Sequence, residues 1–259
     1  SDFDPKMHAL PVEDWLEIDR YALALGRQLQ GELQAHYDAY EFHFIVQKLQ
    51  SFCSEDLGGF YLDILKDRLY TSGADSRARR AAQNALYHLT HALTRWMAPI
   101  MSFTGEEVWG ELSGNTNDSV FMHTWHTLPE QAHEAEHGLM MRWALIRAVR
   151  AKVLKEMETH RAAGAIGSSL QAEIEIHAKD ETRAVLDLLE DDLRFVLITS
   201  QARVIAAAEE SIVVTPSAAQ KCDRCWHYRD DVDAHAEYPG LCGRCVSNLH
   251  GDGEERSHA

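Results

Sequence analysis

The 259-residue chain carries a formal charge of −16, with 45% apolar and 25% charged residues. A chain of this length exceeds one ordinary core, so two or three packed units are expected. No apolar run approaches the ~20 residues of a membrane helix, which excludes a helical membrane protein and predicts a soluble one. So negative a charge disfavours broad nucleic-acid binding, because lysine and arginine supply the phosphate affinity.

The cations are nevertheless gathered locally. Arg77, Arg79 and Arg80 form one basic island, Arg142, Arg147, Arg150, Lys152 and Lys155 a second, and Lys221, Arg224, Arg229 and Arg244 a third. The plain reading of each is a solvated helical face. No basic segment followed by an apolar run opens the chain, so secretion is not expected and a cytoplasmic location is. The chain starts Ser1-Asp2-Phe3 without an initiator methionine, which predicts a piece of a longer polypeptide or a processed product.

In chain order, Ile18, Ala22, Leu25, Leu29 and Leu33 recur at helical spacing and predict a long helix over residues 11–40, with Pro11 suited to its first turn. A second helical stretch covers 41–70, carrying Phe42, Ile45, Leu49 and Phe52, and Gly58-Gly59 is expected to bend or break it. Ser76 can cap a third helix through Ala82, Leu86, Leu89 and Leu93, which stops near Pro99. Thr104-Gly-Glu-Glu107 reads as a capping box for a short fourth helix with Val108, Trp109 and Leu112. Four helices with brief connections predict a bundle over residues 1–130.

A turn-rich break at 113–118 and an extended segment at 120–125 follow. A fifth long helix is predicted over 134–163. Beyond it the period changes: Leu170, Ala172, Ile174 and Ile176 alternate as a strand, 185–193 looks helical, and 195–198, 204–207 and 212–215 read as short strands. Residues 131–219 are thus expected to hold the long helix and a small α+β unit. Residues 220–250 are cysteine-rich, and the polar tail 251–259 is expected to be disordered.

Cys222, Cys225, Cys242 and Cys245 form a C-x2-C-x16-C-x2-C array, the spacing of a four-thiolate tetrahedral zinc site. So polar a segment cannot offset its own ordering entropy, whereas one structural zinc ion can contribute about 10–16 kcal/mol of apparent folding free energy. An iron–sulfur centre, a redox dithiol pair, or a Cys3His site using His227 or His235 are the competing readings. A closed four-ligand site leaves no open position, so no catalysis is assigned to it. Arg224 and Trp226 on the first knuckle and Arg244 on the second present an aromatic flanked by guanidinium groups, which suits a single-stranded base. Equally, Trp226 could pack over the metal as a miniature core.

Elsewhere Cys53 reads as a buried core thiol. The pairs His88 and His91, His123 and His126, and His133 and His137 lack the HExxH pattern of a metal site. Gly164-Ala-Ile-Gly167-Ser168-Ser169 lacks the lysine of a phosphate loop and reads as a turn. No catalytic residue is assigned.

Lys221-Cys-Asp-Arg-Cys-Trp-His-Tyr228 with Leu241-Cys-Gly-Arg-Cys-Val-Ser-Asn-Leu249 closely resembles the C-terminal zinc finger of the bacterial isoleucyl-tRNA synthetases. Phe60-Tyr-Leu-Asp-Ile-Leu-Lys-Asp-Arg-Leu-Tyr70, Arg95-Trp-Met-Ala-Pro-Ile100 and Ser102-Phe-Thr-Gly-Glu-Glu-Val-Trp109 resemble the helical anticodon-binding domain of the same family. The glycosylases that share this type of finger begin with a catalytic Pro-Glu that is absent here. The resemblance implies a mainly α fold: a class I synthetase anticodon-binding bundle, a small α+β unit and a four-cysteine finger. It further implies a monomer that binds isoleucine tRNA and works with upstream catalytic and editing domains of the same polypeptide. Because HIGH and KMSKS are absent, this chain alone is expected to be catalytically inactive. Arg224 and Trp226 match the anticodon-facing part of the finger, and Arg77, Arg80 and Arg150 are further candidate tRNA contacts. A zinc-ribbon module that docks protein rather than RNA, or a standalone enzyme, are the alternatives.

Overall fold

The computed structural model describes residues 2–115 and 117–259; Ser1, and Thr116 of the turn-rich break, lie outside the described residues. Beyond the single helical turn Pro5–His8, its helices are α1 (Glu17–Asp38), α2 (Phe42–Ser51), α3 (Asp63–Thr71), α4 (Arg77–Met97), α5 (Ser102–Ser113), α6 (His133–Ala162), α7 (Asp180–Asp187), α8 (Leu193–Leu197) and α9 (Gly243–His250). The strands are β1 (Ala172–Ala178), β2 (Gln201–Ala206), β3 (Ser211–Pro216), β4 (Gln220–Lys221) and β5 (Tyr228–Arg229). Among the described residues no helix is long and apolar enough to cross a membrane. The chain divides into two compact units: Ser1–Trp15, Asp19–Asp63 and Arg80–Glu136 make one, and Leu16–Ile18, Ile64–Arg79 and His137–Ala259 make the other.

The first unit is a helical bundle whose core is aromatic. Phe52 meets Trp96 edge-on with ring centroids 6.1 Å apart, and Tyr21 meets Phe60 in the same way at 6.0 Å, within the roughly 4.5–7 Å usual for T-shaped pairs. Two polar ring atoms of the bundle core are satisfied: Trp96 Nε1 donates to Gln30 at 2.9 Å, and Tyr61 Oη donates to Asp19 at 2.8 Å. Helix α1 begins six residues later than the spacing predicts, because Pro11 caps a single 3-10 turn, Val12–Asp14, instead of opening the helix.

The glycine pair does not break the second helical stretch. Between α2 and α3 the chain stays helical but underwinds into a π-helical segment, Phe52–Leu62. A Cβ on Gly58 would stand 3.0 Å from the Cys53 carbonyl oxygen, and one on Gly59 3.2 Å from that of Ser54. Each is the carbonyl five residues back, the acceptor of π geometry, so bare Cα atoms leave room for the wide turn. Helix α4 starts as expected, with Ser76 Oγ accepting the Arg79 amide at 3.3 Å. The expected capping box is not the start of α5: that helix already runs from Ser102, Thr104 lies within it, and Met101 is its uncapped N-terminal neighbour. Close packing decides this, since a Cβ on Gly105 would lie 3.0 Å from the Ala98 Cα. Residues 120–122 form a 3-10 turn capped by Ser119 rather than an extended segment.

In the second unit, α6 buries Leu139, Trp143, Ile146, Val149, Val153 and Met157 along one side. The three-stranded sheet has the order β2-β1-β3, with β2 parallel and β3 antiparallel to the central β1. Strand β1 buries alternate residues, Ala172, Ile174, Ile176 and Ala178, as its pattern requires. The run expected as a strand at 195–198 is instead α8, ended by Ile198 at φ +57. A short, fully buried apolar run has no periodicity to tell the two apart. The expected helix at 185–193 lies earlier, at α7.

The tail is a further correction. Within residues 251–259, expected to be disordered, Arg256 and Ala259 are buried, 3% and 0% exposed, while Gly251, Asp252, Glu255 and Ser257 face solvent. One carboxylate oxygen of Asp192 accepts three successive tail amides, of Ser257, His258 and Ala259, at 3.1, 2.8 and 3.3 Å. A tail with few apolar groups is thereby held by polar contacts that composition does not reveal.

Candidate metal centre and nucleic-acid interface

The short ribbon of β4 and β5 pairs Gln220 with Arg229 and Lys221 with Tyr228, and so carries the first CxxC between its strands. Within that turn the Trp226 amide donates to the Cys222 carbonyl at 3.0 Å and the Cys222 amide to the His227 carbonyl at 2.9 Å. The second CxxC straddles the start of α9, with Cys242 just before its first residue. Gly243 is needed there because its amide donates to Asp231 Oδ2 at 3.1 Å and a Cβ would stand 2.9 Å from the same oxygen.

These two devices bring all four cysteines together. Their sulfurs lie within 4.8 Å of one another, all four residues are buried, and the four could hold one metal ion. Zinc with four sulfurs at about 2.3 Å in a tetrahedron requires about 3.8 Å between sulfurs. The Cys222–Cys245 and Cys225–Cys242 separations are 3.8 and 3.7 Å, so the donor set fits that ion. The Cys242 amide adds an N–H···S contact to Cys222 Sγ at 3.4 Å. Left to themselves the thiols oppose one another: hydrogen bonds from Cys242 and Cys245 hold Cys225 down, and hydrogen bonding to Cys225 pushes Cys242 up to about 11. A divalent cation removes that conflict by neutralising the sulfurs together. Neither His227 nor His235 belongs to the cluster. The surrounding miniature core consists of the cysteines with Val232 and Leu241.

Trp226 is outside that core. It is 60% exposed, adopts φ +65, and has Lys221 Nζ 5.3 Å from its ring centroid. A bulky residue in the left-handed region costs about 1–3 kcal/mol and persists only where its surroundings impose it. Here the knuckle imposes it and turns the indole outward.

The arginines fare differently. Arg224 is half-buried and spends two donors on the end of α3, at 2.6 Å to the Thr71 carbonyl and 3.4 Å to that of Tyr70. Arg244, expected beside RNA, is inside: 7% of its side chain is exposed, and its fork grips Asp67 at 2.8 and 2.9 Å. Arg150 is buried and donates to the Val196 carbonyl at 2.9 Å. Arg80 is buried, with Gln83 at 2.8 Å and Asp2 at 3.4 Å. The guanidinium groups of Arg80, Arg150 and Arg244 are thus buried and hydrogen-bonded within the protein, unlike the open arrangement expected of a phosphate contact. Arg77 is exposed, although one of its nitrogens donates to the Arg256 carbonyl at 2.8 Å.

Two features escape the sequence. Asp67, on α3, meets Arg244, Arg256 and His227. Burial pulls its carboxyl upward, but the Arg244 charge and hydrogen bonds, with His227 and Arg256, hold it well below the usual carboxylate range. In the bundle, His88, His91 and His126 converge: His88 Nδ1 and His126 Nε2 are 2.9 Å apart, and His91 stacks on His126 at 5.4 Å. Histidine spacing could have hinted at the first pair but not at the third. Cys53 is only partly buried and lines a cavity with Val46, Leu49, Met97 and Ile100.

The class of protein with this helical bundle, sheet unit and four-cysteine finger is given by its relatives. The family model described as "Anticodon-binding domain of tRNA ligase" matches residues 19–176, and the chain belongs to that family. A second, "Zinc finger found in FPG and IleRS", matches residues 219–248. Among similar proteins, the isoleucine–tRNA ligase of Thiobacillus denitrificans is 75% identical over 259 residues, covering 100% of this chain and 28% of the relative. Those of Cupriavidus pinatubonensis and a Janthinobacterium species are each 58% identical, over 264 and 265 residues, covering 100% of this chain and 27% and 28% of the relatives. The chain therefore spans little more than a quarter of the length of the curated relatives it matches.

Proposed function

We propose that this chain is the tRNA-binding portion of an isoleucine–tRNA ligase. It holds the anticodon stem-loop of isoleucine tRNA while ATP-dependent aminoacylation takes place in the part of the polypeptide that the relatives possess beyond it. The bundle over residues 1–130 and the finger over 220–250 each contribute RNA contacts, the α+β unit of 131–219 lies between them in the chain, and Cys222, Cys225, Cys242 and Cys245 ligate one zinc ion. That ion supplies no chemistry; when bound, it orders the knuckles. The reading includes a cytoplasmic, monomeric protein.

The observation that carries it is Trp226: an indole 60% exposed, in a strained backbone conformation, on a turn pinned by thiolates. A rigid aromatic face offers a base a stacking surface worth about 1–3 kcal/mol, and the adjacent Lys221 offers a phosphate a cation. Arg224 and Arg77 keep partial exposure and can add phosphate contacts. Titration of an isoleucine tRNA transcript against the zinc-loaded chain tests this. Trp226→Ala should weaken binding by about fivefold to 150-fold, and binding should weaken with salt as counterions are released. Equal affinity for the variant would remove the indole from the interface, and salt-independent binding would favour a protein-docking module.

A further inference from the structure

Asp67 gathers partners from three separate stretches of chain. Arg244 of the second knuckle reaches it through both terminal nitrogens, His227 next to Trp226 through Nε2 at 3.5 Å, and Arg256 of the C-terminal tail through Nη2. Glu254 closes the ring, 2.9 Å from Arg256 and 3.4 Å from Arg244, and accepts Asn248 Nδ2 of α9 at 3.0 Å. The Arg256 side chain is 1% exposed, and its guanidinium lies 3.5 Å from the centroid of the Phe195 ring.

Buried ion clusters are a poor source of stability, since desolvation consumes most of the attraction, and apolar packing would serve as well. What a two-pronged guanidinium–carboxylate contact does supply is one orientation. The cysteine cluster holds the two knuckles to each other. It does not hold them to α3. Arg224 ties the first knuckle to the last carbonyls of α3; binding both knuckles at once falls to Asp67, and to the tail that locks Asp67 in place.

We propose that Asp67, with Arg256 and Glu254 of the tail, is a positioning clamp that aims the finger, and hence Trp226, for tRNA contact. Arg256 is a positioning residue: it acts through Asp67 and need not touch RNA. The inference rests on the tRNA reading above.

The test uses the full zinc-loaded chain as Arg256→Gln, as Arg256→Lys and as the charge-balanced pair Asp67→Asn with Arg256→Gln. Zinc content, amide exchange over residues 222–229 and affinity for an isoleucine tRNA transcript are measured, each with and without Trp226→Ala. The clamp requires that one zinc per chain remains while exchange rises by about tenfold. It also requires that tRNA affinity falls by about fivefold to 150-fold in Arg256→Gln, with little further loss when Trp226→Ala is added, because both changes remove the same contact. Arg256→Lys, which keeps the charge and loses the fork, should recover part of both losses. Unchanged exchange, fully additive affinity losses, or loss of zinc in the charge-balanced pair would overturn the clamp. If exchange rises as expected but Trp226→Ala alone binds tRNA like the parent chain, the RNA reading fails instead, and the aiming role fails with it.

Discussion

Arg244 donates both terminal guanidinium nitrogens to the carboxylate of Asp67, at 2.8 and 2.9 Å, across 177 residues of sequence. A residue that sits between two metal-binding cysteines and looks like a phosphate contact is thus an internal brace. Removing Arg244 leaves the buried carboxylates of Asp67 and Glu254 to share the guanidinium of Arg256. Arg244→Met is expected to destabilise the zinc-loaded chain by about 3–5 kcal/mol, read from urea unfolding. Arg244→Lys should lose less, because the charge survives without the fork. A destabilisation below about 1 kcal/mol, the value of an exposed pair, would contradict the buried geometry.

Removing the metal should melt the finger selectively. Cys242→Ser, or a strong chelator, is expected to abolish zinc binding and to raise amide exchange throughout 220–250, while the bundle helices keep their protection. Structural zinc contributes about 10–16 kcal/mol of apparent folding free energy in comparable peptides, far more than the small Val232–Leu241 core can replace. Metal analysis beside exchange mass spectrometry reads both effects, and a finger still protected without metal would refute the assignment.

Acid should loosen the bundle before it affects the carboxylates. Burial, then Arg95 and His88, lower His91 to about 4; burial, then His88, Arg95 and His91, lower His126 to about 4; burial alone lowers His88. In the unfolded chain each takes up its proton near the ordinary value of about 6.5. Between about 6.5 and 4 the unfolded state therefore binds more protons, and stability falls as pH falls. Tyr87, Arg95, Asp118 and His123 lie around the cluster, and His88→Gln with His126→Gln should flatten the profile. Glu17 titrates later: burial raises its pKa, but His258 and Arg142 lower it to about 2, so its contribution is lost only as pH falls from about 4.5 toward 2. Thermal midpoints of the bundle that do not change across the histidine window would contradict this.

Gly58→Ala inverts an ordinary rule. In an α-helix the change stabilises by roughly 1 kcal/mol. Here the new Cβ would meet the Cys53 carbonyl oxygen at 3.0 Å. A net destabilisation of about 1–3 kcal/mol is expected from this crowding, measured by thermal unfolding. A more stable variant would show that the segment can rewind to α geometry.

Much of the architecture was legible in residue order. Helix α6 lies within a residue of its expected bounds because Trp143, Ile146, Val149, Val153 and Met157 form an unbroken stripe. Strand β1 follows from its alternation. The elements misread were those in which the local signal is degenerate: α8, an apolar run short enough for either state, and α5, where Thr104 and Glu107 imitate a cap inside a helix that Ala98 packing starts earlier. The tail was misread because polar composition counts apolar groups and ignores paired charges.

Cysteine spacing by itself pointed to the four ligands, since two CxxC turns can aim four sulfurs at one point, and it placed Trp226 on the same turn; the fold excluded His227 and His235 from the cluster. Which cations remained available for a partner was decided only in three dimensions. Arg80, Arg150 and Arg244 are no less basic in sequence than Arg77, yet a guanidinium's role depends on the nearest acceptor, and those acceptors come from residues as distant as Asp67 is from Arg244. Local geometry travels with the sequence; the partners of long-range charge pairs exist only once the chain has folded.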